Sequence, residues 1–295
     1  MDIAITSGGS PKKTVKSKSG KPFKNAWAVL LLIILAALFI FPILVVFLNS
    51  FKTKFSIMGR PFELPTAETF AGLDNYITGI KSADIPAAFG RSLFITAGSV
   101  AALVLFTSMT AWYIVRSDSP LCKGIYSLFT FSMIVPFQMV MYTMTYVVTK
   151  IGLNNPIGII FVYLGFGAGL SVFMLAGFVK SVPYELEEAA QIDGCNPIQT
   201  FFGIVMPILR PTAVTVAILN AMWIWNDYLL PYLILGTGNK TLPVAIQIAM
   251  QGAYGSVNWG GFMAMLVLAI LPIIIFYLIG QKYIIEGVIA GAVKG

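Results

Sequence analysis

Apolar residues gather along this chain into six long runs, 26–48, 92–115, 124–148, 157–178, 212–235 and 261–280. A bilayer core about 30 Å thick is crossed by roughly 20 helical residues, so each run predicts one membrane-spanning helix. Six spans return both termini to the same side. Pro42, Pro136 and Pro272 fall inside runs, where neighbouring helices can satisfy the carbonyls a proline frees, and they read as packing kinks. Gly165, Gly167 and Gly169 keep the fourth run slim, which points to close helix contact, with a solute-lining role as the alternative. Two polar stretches interrupt the pattern. Residues 49–91, with Pro61, Pro65 and Pro86 and nearly balanced charge, read as a small external cap, and 181–211 is the polar stretch around which the rest is organised.

Composition supports an all-α polytopic membrane protein with six transmembrane helices. The chain is 58% hydrophobic and only 11% charged, with a mean hydropathy of +0.86, too apolar for an ordinary soluble domain. It has no histidine and 2 cysteines, so histidine catalysis, a multi-cysteine metal site and a disulfide framework are unsupported. The expectation is a protein that is not an enzyme and binds no metal itself. A net charge of +7 raises nucleic acid as a partner. However, Lys12, Lys13, Lys16, Lys18, Lys21 and Lys24 stand directly before the first apolar run, where they read as a topology signal.

Residues 1–24 cannot bury enough apolar surface to fold and are expected to form a disordered basic cytoplasmic tail. The first run is longer than a signal peptide's apolar region and lacks a cleavage pattern, so it reads as a retained span. With the N-terminus inside, Arg116, Lys123, Lys180, Arg210, Lys282 and Lys294 are also cytoplasmic. Cys122, Cys195 and the 181–211 stretch then face the reducing compartment. The expected organisation is a six-span domain over 25–281 followed by a cytoplasmic tail over 282–295.

Within 181–211, Pro183 suits a first helical turn, and Glu185, Glu187 and Glu188 sit near the positive end of that helix's dipole. Leu186, Ala189, Ala190 and Asp193 follow at helical spacing, and Gly194 falls where a left-handed cap ends the helix. Pro197 opens a second short helix carrying Phe201 and Phe202. The expected result is a helix, a tight turn and a helix, lying on the membrane surface and presenting a knob to another protein.

Glu188-Ala189-Ala190, then Gly194, Ile204 and Pro207, resemble the EAA loop of the membrane subunits of ATP-binding-cassette importers. The fuller phrase from Pro183 to Gly194, Trp225-Asn226-Asp227 and the ending Ala290–Gly295 are similar to the carbohydrate branch, in particular the second permease of maltose-type systems. Cys195, Met206 and Ile289 depart from that pattern without removing a group docking needs. The resemblance implies a cytoplasmic coupling helix that docks on ATPase subunits through Glu185, Glu188, Ala189, Ala190, Asp193 and Gly194. It implies four kinds of partner: a second permease subunit forming a heterodimer, an ATPase dimer holding ATP and Mg²⁺, an extracytoplasmic sugar-binding protein touching 237–258, and the lipid of a bacterial or archaeal cytoplasmic membrane. The last residues would either be disordered or lie against the ATPases.

No ATP-binding fingerprint is present. Gly236–Thr241 has Asn239 where a phosphate loop needs glycine before the lysine. In the fifth run, Asn220, Trp223, Trp225, Asn226 and Asp227 bring polar and aromatic groups into an apolar helix, as candidates for the solute path or for cross-linking helices. A secondary transporter would carry more intramembrane ionisable groups. The remaining alternative is an importer permease for glycerol phosphate, a polyamine or another small solute.

Overall fold

The computed structural model describes residues 26–251 and 257–292, so the expected tail over 1–24 lies outside the described residues. The chain divides into two units at Leu44/Val45. The first holds most of helix α1 (Ala26–Asn49). The second runs through α2 (Lys54–Gly59), α3 (Asp74–Ser82), α4 (Ile85–Arg116), α5 (Pro120–Ser132), α6 (Phe137–Lys150) and α7 (Gly158–Val179). It continues with α8 (Glu185–Ile192), α9 (Pro197–Thr200), a π-helical turn (Phe201–Val205) and α10 (Met206–Asn226), then α11 (Leu229–Leu235), α12 (Leu242–Gln251) and α13 (Trp259–Ala292). Among the described residues no strand forms beyond an isolated bridge between Lys52 and Phe70. Five described helices are long and apolar enough to cross a membrane, or six if a bent pair is counted as one broken span.

That bent pair corrects the third expected span. α5 and α6 meet at 109°, a break rather than a kink. Pro136 has no N–H and its ring collides with the carbonyl four residues back, and α5 stops at that residue, Ser132. The fifth span is corrected at both ends. α9, the π-turn and α10 form one continuous helical segment over Pro197–Asn226, so the second short helix of the knob is the start of the span itself. At its far end the helix breaks at Asp227, whose backbone is extended (φ −72°, ψ 124°). Pro231 would meet the Asp227 carbonyl in an unbroken helix, and instead it sits in the first turn of α11. The sixth helix runs unbroken through 281 to Ala292.

The 49–91 segment folds around α2 and α3. Lys52 is 1% exposed, and its Nζ donates to the carbonyls of Arg60 and Pro61 at 3.0 and 3.3 Å. Asn49 Nδ2 reaches the same Pro61 carbonyl at 2.9 Å, and Asn75 Nδ2 donates to the carbonyls of Ser50 and Lys52. Burial lowers the Lys52 pKa from its ordinary value, with the nearby Glu63 pushing it back up. α3 then packs on α13, where Gly79 lets the two backbones close up. A Cβ there would stand 2.9 Å from the Gly261 carbonyl oxygen.

The core of the second unit is α4 against α7, with α10 closing the third side. Ile95, Leu103, Ile159, Tyr163 and Ile224 are buried together, and Ala111, Val172, Leu175, Ala176, Ala213 and Val216 continue the packing. Gly167 and Gly169 provide the close contacts expected of them: a Cβ on Gly167 would lie 2.8 Å from Leu103 and from Asn220. Gly165 has open space instead. The outward apolar side chains of Phe94, Phe106, Phe161 and Phe173 suit hydrocarbon, where helices with internally satisfied backbones are stable.

Candidate functional site

The knob is built on a carboxylate that the sequence reading left outside the docking set. α8 begins at Glu185, two residues later than Pro183 predicts, and turns Glu187 inward to 2% exposure. Glu187 Oε1 accepts from Arg116 Nε at 2.9 Å and Nη2 at 2.7 Å, while Oε2 accepts from Trp112 Nε1 at 2.9 Å. Arg116 Nη2 also donates to the Val182 carbonyl at 2.9 Å, and its guanidinium lies over the Tyr184 ring, 5.4 Å from the centroid. Both oxygens of a buried anion are thus satisfied, the condition under which a buried charge is tolerated at all. Beneath this pair, Val179, Phe201, Val205 and Leu209 form an apolar floor, and Trp112 meets Phe201 with ring centroids 5.5 Å apart.

The turn after α8 is the one predicted. Gly194 has φ +83°; its N–H reaches the Gln191 carbonyl, and the Cys195 N–H reaches back to Ala190. This is the Schellman pattern, which closes the helix's last carbonyls at a glycine. α9 opens with a capping box, Asn196 Oδ1 taking the Gln199 N–H and Gln199 Oε1 taking the Asn196 N–H, each at 2.9 Å. Of the six expected docking residues, Glu185, Glu188, Ala189, Asp193 and Gly194 are exposed. Ala190 is buried at 4%, because it shares the inward face with Glu187. The exposed surface also carries Leu186, Ile192, Ile198 and Phe202. A surface of apolar side chains rimmed by carboxylates has the composition of a protein contact.

The intramembrane candidates do not form one site. Asp227, Tyr163 and Trp223 come together: Tyr163 Oη donates to Asp227 Oδ2 at 3.0 Å, and Trp223 packs edge-on to the Tyr163 ring. Asp227 Oδ1 accepts the backbone N–H groups of Leu229 and Leu230 at 3.0 and 3.3 Å. The carboxylate therefore caps α11 across the break that Pro231 causes. Asn220 lies deeper, donating to Ser171 Oγ at 3.1 Å and to its own helix at Val216. Trp225 is 3% exposed against Phe89, and Asn226 bonds back to Met222. Asn220 and Asp227 thus tie the α10 end to α7, Trp225 packs it on α4, and Asn226 is bonded within its own helix.

The family described as binding-protein-dependent transport system inner membrane component matches residues 103–289, from the middle of α4 through the knob and the Asp227 break into α13. The chain belongs to this family. Its relatives include the probable starch degradation products transport system permease protein AmyC of Thermoanaerobacterium thermosulfurigenes, 40% identical over 89% of this chain and 94% of that protein. The multiple sugar-binding transport system permease protein MsmG of Streptococcus mutans is 37% identical over 91% of this chain and 96% of its own length. In fold, the permease component superposes on a bacterial ABC transporter that imports the acidic polysaccharide alginate, with a TM-score of 0.74 at 20% identity, covering 88% of this chain and 95% of that one. The permease component is a multi-pass membrane subunit of transport machinery, not an enzyme.

Arg116, Trp112, Glu187 and Tyr163 are the residues of this permease component that sequence reasoning missed. Their partners stand 64 to 75 positions away along the chain, and no local pattern links them. A signal was present for Glu187: three glutamates share one short helix, and one of them has to face inward when α8 lies flat on its neighbours.

Proposed function

We propose that this chain is one of two membrane subunits of an ATP-driven importer for a sugar or oligosaccharide delivered by an extracytoplasmic binding protein. The observation that carries this is the knob. α8 is a short helix held by a buried ion pair, ended by a left-handed glycine, and presenting Glu185, Glu188, Ala189 and Asp193 outward. Separate ATPase subunits, which hold the ATP and Mg²⁺, dock on that surface from the cytoplasm. Their closure tilts the attached helices and opens a central path, as alternating access between states with different partner affinities requires. The sugar assignment is supported by relatives named for starch products, multiple sugars and, in Thermococcus litoralis, trehalose and maltose. A sister permease completes the path, and the α12 region faces the binding protein.

Co-purification tests the docking. Glu188→Lys reverses charge on the exposed face while leaving the buried Glu187 untouched, and it is expected to lower retention of the ATPase subunits at least tenfold and to reduce sugar uptake with it. Full retention and normal uptake in this variant would remove the docking role.

A further inference from the structure

We propose that Arg116, Trp112 and Glu187 form a rigid joint through which α8 and α4 move as one body. The proposal rests on α8 being the docking element, and it concerns what happens to a push once α8 receives it. α8 has eight residues, too few to be stable as an isolated helix, so its stiffness must come from what it is fastened to. Arg116 grips the start of α8 at three places: the Val182 carbonyl, the Tyr184 ring and the Glu187 carboxylate. Three points spread from Val182 to Glu187 fix a direction as well as a position. Trp112, one helical turn earlier on α4, holds the second carboxylate oxygen, so the carboxylate cannot swivel about the guanidinium.

Arg116 is the last residue of α4, a helix of 32 residues. Near the other end of that helix, Arg91 Nε donates to the Lys240 carbonyl at 2.8 Å, and Ser92 Oγ accepts the N–H of Leu242, the first residue of α12. At 1.5 Å per residue, Arg91 and Arg116 are about 37 Å apart along the axis, enough to cross a bilayer. α4 is therefore a strut, tied to α8 at one end and to the start of α12 at the other. A rigid secondary element fastened at both ends is one physical carrier of coupling between distant sites.

The test is a distance measurement. Nitroxide labels are placed at Gln191 on α8 and Phe106 on the outward face of α4, in a chain with Cys122→Ser and Cys195→Ser. Pulsed dipolar spectroscopy is run on the assembled complex with and without ATP and vanadate. The joint predicts one narrow distance that nucleotide leaves unchanged, a distribution at least twofold wider in Glu187→Gln, and an intermediate width in Trp112→Phe. The phenylalanine variant keeps the ring on Phe201 and removes only the donor, so it reports even where Glu187→Gln is not recovered. A distance that shifts with nucleotide in the parent chain, or two variants as narrow as the parent, overturns the joint. Failure of the docking role is separate: ATPase subunits would then remain bound to Glu188→Lys, and the comparison of widths would still stand.

Discussion

Glu187 is a buried carboxylate and Asp227 a half-buried one, and the chain holds them by opposite means. Glu187 meets a full positive charge, Arg116, with an indole N–H completing the set. Asp227 is met by neutral donors, the Tyr163 hydroxyl and two amides at the start of α11. An anion paired with a cation from another helix fixes two separate elements to each other. Asp227 also reaches another helix through Tyr163, but its donors are all neutral, two of them helix-start amides that repair a local break, and such partners tolerate a neutral replacement. The first arrangement is the stiffer, and it stands at α8, the element proposed above to dock the ATPase subunits.

The comparison predicts unequal costs. Arg116→Met should have the largest effect, because it strands a buried carboxylate with one neutral donor. Losing one partner of a buried pair costs about 3–5 kcal/mol, to be read from unfolding of the purified chain in a mixed-micelle titration. A loss no larger than that of Asp227→Ala would end the distinction between the two carboxylates.

Asp227→Ala comes next. It leaves the Tyr163 hydroxyl and two amides unpaired, at about 1–3 kcal/mol. Asp227→Asn retains an oxygen for those amides, so it should cost less and leave uptake per assembled complex near that of the parent. Uptake lost at normal recovery of complex would return Asp227 to the solute path.

How legible each region was in the sequence follows the same division. The knob's outline is local: Pro197 at a helix start, Gly194 at a left-handed cap, three glutamates in one turn. Each element could be placed from neighbours a few residues away. The partners of its buried carboxylate could not, since Arg116 lies 71 positions earlier. The spans show the converse failure. Runs of apolar residues located six crossings, but hydropathy does not register a broken helix, and the breaks at Ser132 and Asp227 lie four residues before Pro136 and Pro231. Both prolines stand in the sequence; reading Pro136 as a kink missed that a proline's cost falls on the carbonyl one turn earlier, and Pro231 carries the same signal inside the fifth run. The cap over 49–91 was legible as a segment only, because its order depends on Lys52 and Asn75 bonding to carbonyls rather than on any periodic pattern.

The smallest of the expected effects isolates backbone geometry. A Cβ at Gly194 would meet nothing within 4 Å, so Gly194→Ala is penalised only by its left-handed φ, about 1–2 kcal/mol. It should loosen the turn between α8 and α9 without touching the ion pair, giving a stability loss well below that of Arg116→Met in the same titration. An equal loss would show that the turn, and not the pair, holds the knob.

The π-turn at Phe201–Val205 sets the angle between the knob and the span that follows it. An α-helix advances about 100° per residue, and a π-turn accommodates one residue more than the α-helical path it replaces. It acts as a fixed angular offset at the base of the knob, immediately before Met206 and Pro207. Shortening 201–205 by one residue would let the segment close as ordinary α-helix, with its hydrogen bonds intact and its apolar content nearly unchanged. The knob would then point about 100° away around the helix axis, its glutamates intact but aimed at the wrong quarter of the compass.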